Sequence, residues 1–404
     1  MKKILLLGGS NFQIPSIVKA KELGYYAITC DYLPNNPGHK YADEYHNVST
    51  TDKEGVLDLA KKLKVDGIVC YASDPGAPTA AYVAEKLGLP SNPYKSVEIL
   101  TNKSLFRKFL AENGFNTPKA KAYANVLDAL NDLPAFRLPV FIKPVDSSGS
   151  KGISVLEKTE NLRMQAEYAI SFSNAGYFIM EEYIENVGYQ VGGDGFSVDG
   201  QLVFRCFNNQ HFGEKSLNPF IPVGISYPCI KPKYIQDKIH NEIQRLFDLL
   251  DIRSGAYNFE VRVTADDEIW LVEIGARNGG NLVPQVTRYA TGVDMVEYTI
   301  KAAMGDDCSM LMMNEVAGCW GNYKVNSQQD GVLQEVVVDS QFMQNNIVQF
   351  DMYYTSGDEV PAFSGSNGIL GMMISKFEHV NEMLEKMNNM SDYVHVTVRS
   401  RGKV

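Results

Sequence analysis

The 404-residue sequence has no C-x-x-C pair among its six cysteines (Cys30, Cys70, Cys206, Cys229, Cys308, Cys319) and no H-E-x-x-H among its six histidines. A disulfide framework and a zinc site are therefore not expected, and a reducing cytoplasm suits the chain best. It also lacks a basic excess: 38 basic against 48 acidic residues give a net charge of −10, with no long single-sign run. Nucleic acid and anionic membranes both reward a basic face, so neither is expected as the main partner. No segment approaches the apolar length of a membrane helix. The start, "MKKILLLGGSNF", imitates a secretory leader, but four apolar residues precede Gly8-Gly9 and no small-residue cleavage site follows. No repeat of fixed period runs through the chain.

What is present is enough apolar residue, 45%, to bury more than one core. Strand and helix patterns alternate through residue 95: "KKILLLGG", "PSIVKAKELG", "YYAITCDY", "KEGVLDLAKKLKVDGIVCYASD" and "PTAAYVAEKLGLP". That alternation predicts a doubly wound parallel sheet. From residue 96 the character changes. Thr101 or Asn102 can cap a helix running to Gly114, and short strands dominate between 138 and 210. Helices are predicted at about 234–250 and 282–303, with a hairpin between them. The last stretch, 306–404, reads as strands with one late helix, offers no catalytic cluster, and carries methionines suited to core filling.

Gly8-Gly9 after the first strand and Asp31 at the end of the second imitate a dinucleotide fingerprint. Ser10 and Gln13 stand where its second and third glycines belong, so hydride transfer is not supported. A tight turn lining a ligand crevice is the better reading.

In "FIKPVDSSGSKGISV", Lys143 leaves a strand toward Ser147, Ser148, Gly149, Ser150 and Gly152. Small residues let backbone amides and hydroxyls come close to a bound group, which suits phosphate oxygens. A flexible hairpin with solvated lysines is the alternative. In "NFEVRVTADDEIWLVEIGAR" a two-residue turn, Asp266-Asp267, pairs Ala265 with Glu268 and, counting back, Glu260 with Glu273. Like charges directly opposite are destabilising, and a divalent cation between them would remove the repulsion. Two solvated surface glutamates are the other reading. Arg277 is next, placed to fork onto a phosphate or carboxylate unless it is a mere exposed strand exit. Gly279 and Gly280 then lead into a helix start able to hold negative charge.

Taken in order, "NKSLFRKFL", "FIKPVDSSGSKGISV", "IMEEYIE" and "FEVRV…WLVEIGARNGG" resemble the ATP-grasp superfamily, and more closely its carboxylate–amine ligase branch. The resemblance covers roughly residues 1–300. It implies a two-subdomain α+β ATP-grasp fold (96–305, lid about 118–185) after the N-terminal doubly wound domain (1–95), while the last stretch (306–404) reads by its own pattern as a small C-terminal α+β region packed against that fold and closing a substrate cleft. It further implies that ATP and Mg²⁺ are the cofactors. Lys103 and Lys143 would bind phosphates under the 147–152 loop, and Glu181 would accept from the adenine amino group beside backbone groups of Glu182 and Ile184. Glu260 and Glu273 would hold Mg²⁺, and Arg277 would steady an acyl phosphate. Relatives often carry glutamates for ribose where this chain has Val187 and Gly188, with Asp194 a substitute. Some place Asn where this chain has Gly275, leaving Asn278 or Asn281 to serve, or a second Mg²⁺ to be held differently.

The expected activity is an ADP-forming ligase that joins a small carboxylate to an amine, with a homodimer allowed. His211, Arg277, Gly279 and Gly280 are the substrate candidates. The rival readings are a phosphoribosylglycinamide synthetase-like purine enzyme and a nucleotide-binding module without turnover.

Overall fold

The computed structural model describes residues 1–147, 149–213, 217–365 and 368–400. The first domain is a parallel sheet with strand Lys3–Leu7 between Tyr26–Cys30 and Gly67–Cys70, and Glu44–His46 on the outer side of Tyr26–Cys30. Its helices, Ile14–Glu22, Lys53–Leu63 and Ala77–Leu87, return the chain between strands. Ile4, Leu5, Leu6 and Leu7 are all at most 2% exposed. A strand covered on both faces reads as an unbroken apolar run, which is why the pattern here is continuous rather than alternating.

A second, four-stranded sheet is ordered Ala120–Tyr123, Phe178–Glu182, Val140–Pro144, Ser154–Leu156, and helices Val126–Asp132 and Leu162–Ile170 pack with it. Next comes an eight-stranded antiparallel sheet. Its order is Ile269–Gly275, Gly255–Val263, Gln190–Val198, Gln201–Phe212, Pro222–Tyr227, Cys319–Asn326, Ile369–Phe377, Ile347–Met352. Helix Lys233–Leu249 buries Ile235, Ile239, Ile243 and Leu246 in the main core, at the spacing of one helical face. Each such side chain contributes roughly 1.5–3 kcal/mol through burial.

The large sheet does not stop at residue 306: Pro222–Tyr227 pairs directly with Cys319–Asn326. The C-terminal strands thus extend the surface on which the site is built. Met372 and Met373 are fully buried in that part of the core. A small sheet of Glu359–Val360, Gly331–Val338 and Val394–Arg399 completes the region. All six cysteines are free, and among the described residues no helix is long and apolar enough to cross a membrane.

Candidate active site

One cleft is lined by both the four-stranded and the eight-stranded sheet, and most of the charged candidates converge there. Lys103 enters it because Asn102 caps helix Lys103–Glu112, its side-chain oxygen accepting from the amides of Ser104 (3.0 Å) and Leu105 (3.1 Å). The Lys103 Nζ then donates to the Ser147 carbonyl at 2.8 Å and lies 3.6 Å from Glu273 Oε2. After Ser147, the residues Gly149, Ser150 and Gly152 all take positive φ (67°, 57° and 71°), the region in which glycine is least strained. Gly149 and Ser150 line the cleft, whereas Gly152 lies against Phe172. Ser148 lies outside the described residues.

Lys143 and Glu181 face each other from adjacent strands, Nζ to Oε1 at 2.7 Å, and both are under 10% exposed. The second oxygen of Glu181 is taken by Arg107 Nε at 2.6 Å. Burial opposes the charge on Glu181, but Arg107 and Lys143 overcome it and bring its pKa down to about 2. Burial lowers the Lys143 ammonium, and Arg107 and Lys103 push the same way against the attraction of Glu181. Lys143 and Arg107 thus share one carboxylate, and Lys103 beside Glu273 adds a third cation to this end of the cleft. The expectation that Glu181 accepts from an adenine amino group therefore meets a carboxylate already engaged on both oxygens. The Glu182 carboxylate accepts from the Arg137 amide at 2.9 Å, and the Ile184 carbonyl accepts from Arg262 Nη1 at 2.6 Å.

Glu260 and Glu273 are direct cross-strand partners. The expected turn is nevertheless wrong. Val263 pairs with Ile269 and the Thr264 amide bonds the Glu268 carbonyl, so the loop holds three residues, with Asp267 at φ 58°. Near the tip the register is displaced by one residue, and a bulge at Val272 restores it before Glu273. Without the bulge, Glu273 would face away from the cleft. Burial first, and then the facing Glu273, raises the Glu260 carboxyl pKa. Among the described residues no group of three His, Cys, Asp or Glu side chains could hold a metal. The pair nonetheless offers two hard oxygen donors whose mutual repulsion Lys103, 3.6 Å from Glu273, relieves in part, which fits a divalent cation whose remaining ligands come from phosphate and water.

Arg277 is held by Asp74 of the first domain, Nη2 to Oδ2 at 2.5 Å. Burial opposes its charge, yet Asp74 more than compensates and raises the guanidinium pKa. A Cβ on Gly275 would lie 2.9 Å from Asp74 Oδ1 and 3.1 Å from Arg277 Cζ, so a side chain there would crowd the pair. Neither Asp194 nor Asn278 serves as expected. Asp194 is fully buried, accepting from Asn258 Nδ2 (2.8 Å) and from the Gly279 amide (2.9 Å), with burial pushing its pKa up to about 6. The Gly279 amide is thereby committed to the protein rather than to substrate. Asn278 is also fully buried and accepts from Thr299 Oγ1, while Gly280 and Asn281 line the cleft.

His211 turns away from the cleft. It bonds Ser226 Oγ and Asn388 Oδ1, each at 2.8 Å, and burial lowers its pKa to about 4. The two-residue period of the strand presents Asn208 and Gln210 to the cleft instead. Their amides cross over Gly192 on the neighbouring strand, where a Cβ would lie 2.7 Å from Asn208 Oδ1. The glycine pair in "QVGGDGF" was the available signal. Arg107 and Lys324 were also missed. Lys324, from the C-terminal region read as offering no catalytic cluster, reaches the cleft, donates to the Pro222 carbonyl at 2.6 Å, and has its pKa lowered to about 8 by burial.

Residues 136–285 match the ATP-grasp domain family. The chain is 25% identical over 263 residues to the carbamoyl phosphate synthase large chain of Thermoplasma volcanium, a match covering 62% of this chain and 24% of that protein. It thus spans about a quarter of that relative's length. Its fold is similar throughout to L-amino acid ligase from Bacillus licheniformis (TM-score 0.80, 19% identity, 99% of each chain). It is also similar to the biotin carboxylase domain of the Hydrogenobacter thermophilus 2-oxoglutarate carboxylase, solved with MgADP, ADP and bicarbonate (TM-score 0.73, 16% identity, 98% of this chain and 91% of that one). This chain carries an ATP-grasp domain. Over its whole length the fold is the one seen in that L-amino acid ligase.

Proposed function

We propose that this protein is an ATP-dependent ligase that activates a small carboxylate as an acyl phosphate and joins it to an amine, releasing ADP and phosphate. One observation carries the reading: the Glu260–Glu273 pair shares a cleft with Lys103, Lys143 and Arg277, beneath a Ser/Gly loop. Acidic metal donors beside clustered cations suit a metal-bound polyphosphate. The MgADP in the Hydrogenobacter neighbour supports ATP and Mg²⁺ as the cofactors here.

Lys143 and Lys103 would bind the phosphates, with the loop 147–152 contributing backbone amides. Glu260 and Glu273 would hold Mg²⁺, which when bound supplies charge neutralisation on the transferring phosphoryl group. Arg277, oriented by Asp74, would steady the carboxylate and then the acyl phosphate. Asn208, Gln210 and Lys324 would bound the substrate side. The acid would be small, because the Asp74–Arg277 pair ties the "YASDPG" loop at 71–76 against the Arg277 loop. Small-molecule substrates accord with the acidic net charge, and a cytoplasmic setting with the six free cysteines.

The test is a panel of amino acids, singly and in pairs, scored for phosphate and ADP release, with phosphoribosylamine plus glycine as a separate arm. Release that requires two amino acids supports the reading, and release that requires phosphoribosylamine plus glycine identifies the purine rival. Nucleotide binding without stimulated ADP release in any arm would leave a binding module.

A further inference from the structure

Arg107 is 5% exposed and takes no part in any role assigned above, yet its guanidinium makes three hydrogen bonds to three different residues. Nε donates to Glu181 Oε2 at 2.6 Å, Nη1 to the Leu271 carbonyl at 3.2 Å, and Nη2 to the Val272 carbonyl at 2.8 Å. The two carbonyls belong to the bulge and to the residue before it, where the hairpin ladder is broken and backbone acceptors lose their regular partners. The carboxylate belongs to the residue that holds Lys143.

We propose that Arg107 is a positioning residue that fixes two parts of the site at once. Its Nη forks satisfy the bulge that brings Glu273 opposite Glu260, and its Nε anchors Glu181, which orients Lys143. The helix Lys103–Glu112 that carries it also carries Lys103, so one rigid element sets phosphate lysine, lid lysine and metal carboxylate in a common frame. A planar fork is required. A lysine at 107 could keep the charge beside Glu181, but a single ammonium cannot span both carbonyls and the carboxylate in that geometry.

The inference rests on the nucleotide–metal reading of the cleft, and binding calorimetry separates the two. ATP is titrated into wild type, Arg107→Lys and Glu181→Gln, each in EDTA and in saturating Mg²⁺, with melting temperatures recorded in parallel. Wild type should bind more tightly with Mg²⁺ than without; no binding in either condition would defeat the reading of the cleft itself. Arg107→Lys should lose the Mg²⁺ enhancement by about tenfold, the scale of one displaced ligand group, while affinity in EDTA changes less. Glu181→Gln should do the opposite, weakening affinity in EDTA and keeping the Mg²⁺ enhancement. A wild-type Mg²⁺ enhancement in Arg107→Lys, with only its melting temperature lowered, would reduce Arg107 to a structural residue and overturn the proposal. Should Arg107→Lys fail to fold, Glu181→Gln still decides: loss of the Mg²⁺ enhancement there would show that the two halves of the frame are not separately held.

Discussion

Asp74 and Arg277 form a 2.5 Å ion pair across the junction between the first domain and the hairpin that carries Glu260 and Glu273, 203 residues apart in sequence. Both side chains are under 15% exposed, so the pair is sheltered from solvent screening.

Removing Asp74 leaves a buried guanidinium unpaired, and Asp74→Ala should cost about 3–5 kcal/mol of stability and lower turnover. Gly275→Asn should also destabilise, because its side chain enters the space of the pair. The double substitution should cost less than the singles added together, since the steric and electrostatic losses share one site. Melting temperatures of the two singles and the double measure this; strict additivity would mean that Gly275 is not glycine on account of Asp74.

For the carboxylate pair, Glu260→Gln and Glu273→Gln should each raise the Mg²⁺ concentration needed for activity or abolish turnover. Their apo stabilities should differ. Glu260 is raised by burial and by Glu273, so the folded protein holds that proton more tightly than the unfolded chain. Stability from this group is complete below about pH 4.3 and is lost as pH rises through the higher folded value. Glu260→Gln should remove that loss and melt no lower than wild type at neutral pH. Glu273 has Lys103 at 3.6 Å, so Glu273→Gln should be close to neutral. A marked fall in apo melting temperature in both would show that the pair is a structural salt-bridge centre.

Lys143→Ala should weaken nucleotide affinity or lower turnover about tenfold or more, the scale of a lost charge-assisted phosphate contact. Its effect on folding should be moderate, because Arg107 still neutralises Glu181. Unchanged affinity and turnover would remove Lys143 from the site.

His211 supplies a pH test away from the cleft. Its pKa is lowered to about 4 by burial, so the folded state favours the neutral ring. Its contribution is present above the unfolded value of about 6.5 and is lost as pH falls toward 4. His211→Gln should flatten the acid limb of the melting curve over that window while leaving substrate affinity unchanged. A selective rise in KM with an unaltered acid limb would return His211 to the substrate side.

The parallel first sheet, the Asn102 cap and the candidates Lys143, Glu260, Glu273 and Arg277 were legible in the sequence because each follows from a local rule, whether periodicity, capping, or small residues beside a charge, whereas Lys103 came only from the resemblance. The Glu260–Glu273 pairing was legible for a reason that proved incomplete. A two-residue turn with a regular ladder and a three-residue turn with a bulge bring the same residues together, and local sequence does not choose between them. Other features depended on packing between distant segments. Arg107 acquires its role from carbonyls more than 160 residues away, and Gly275 acquires its necessity from Asp74. His211 and Gln210 differ only in which face of one strand is turned to the cleft. The sequence by itself determined the elements and most of the charged inventory, because those are set by neighbours along the chain. Only the tertiary structure decided which oxygens are already occupied and which amides face the cleft, because burial and hydrogen-bond competition are set by residues the chain brings in from elsewhere.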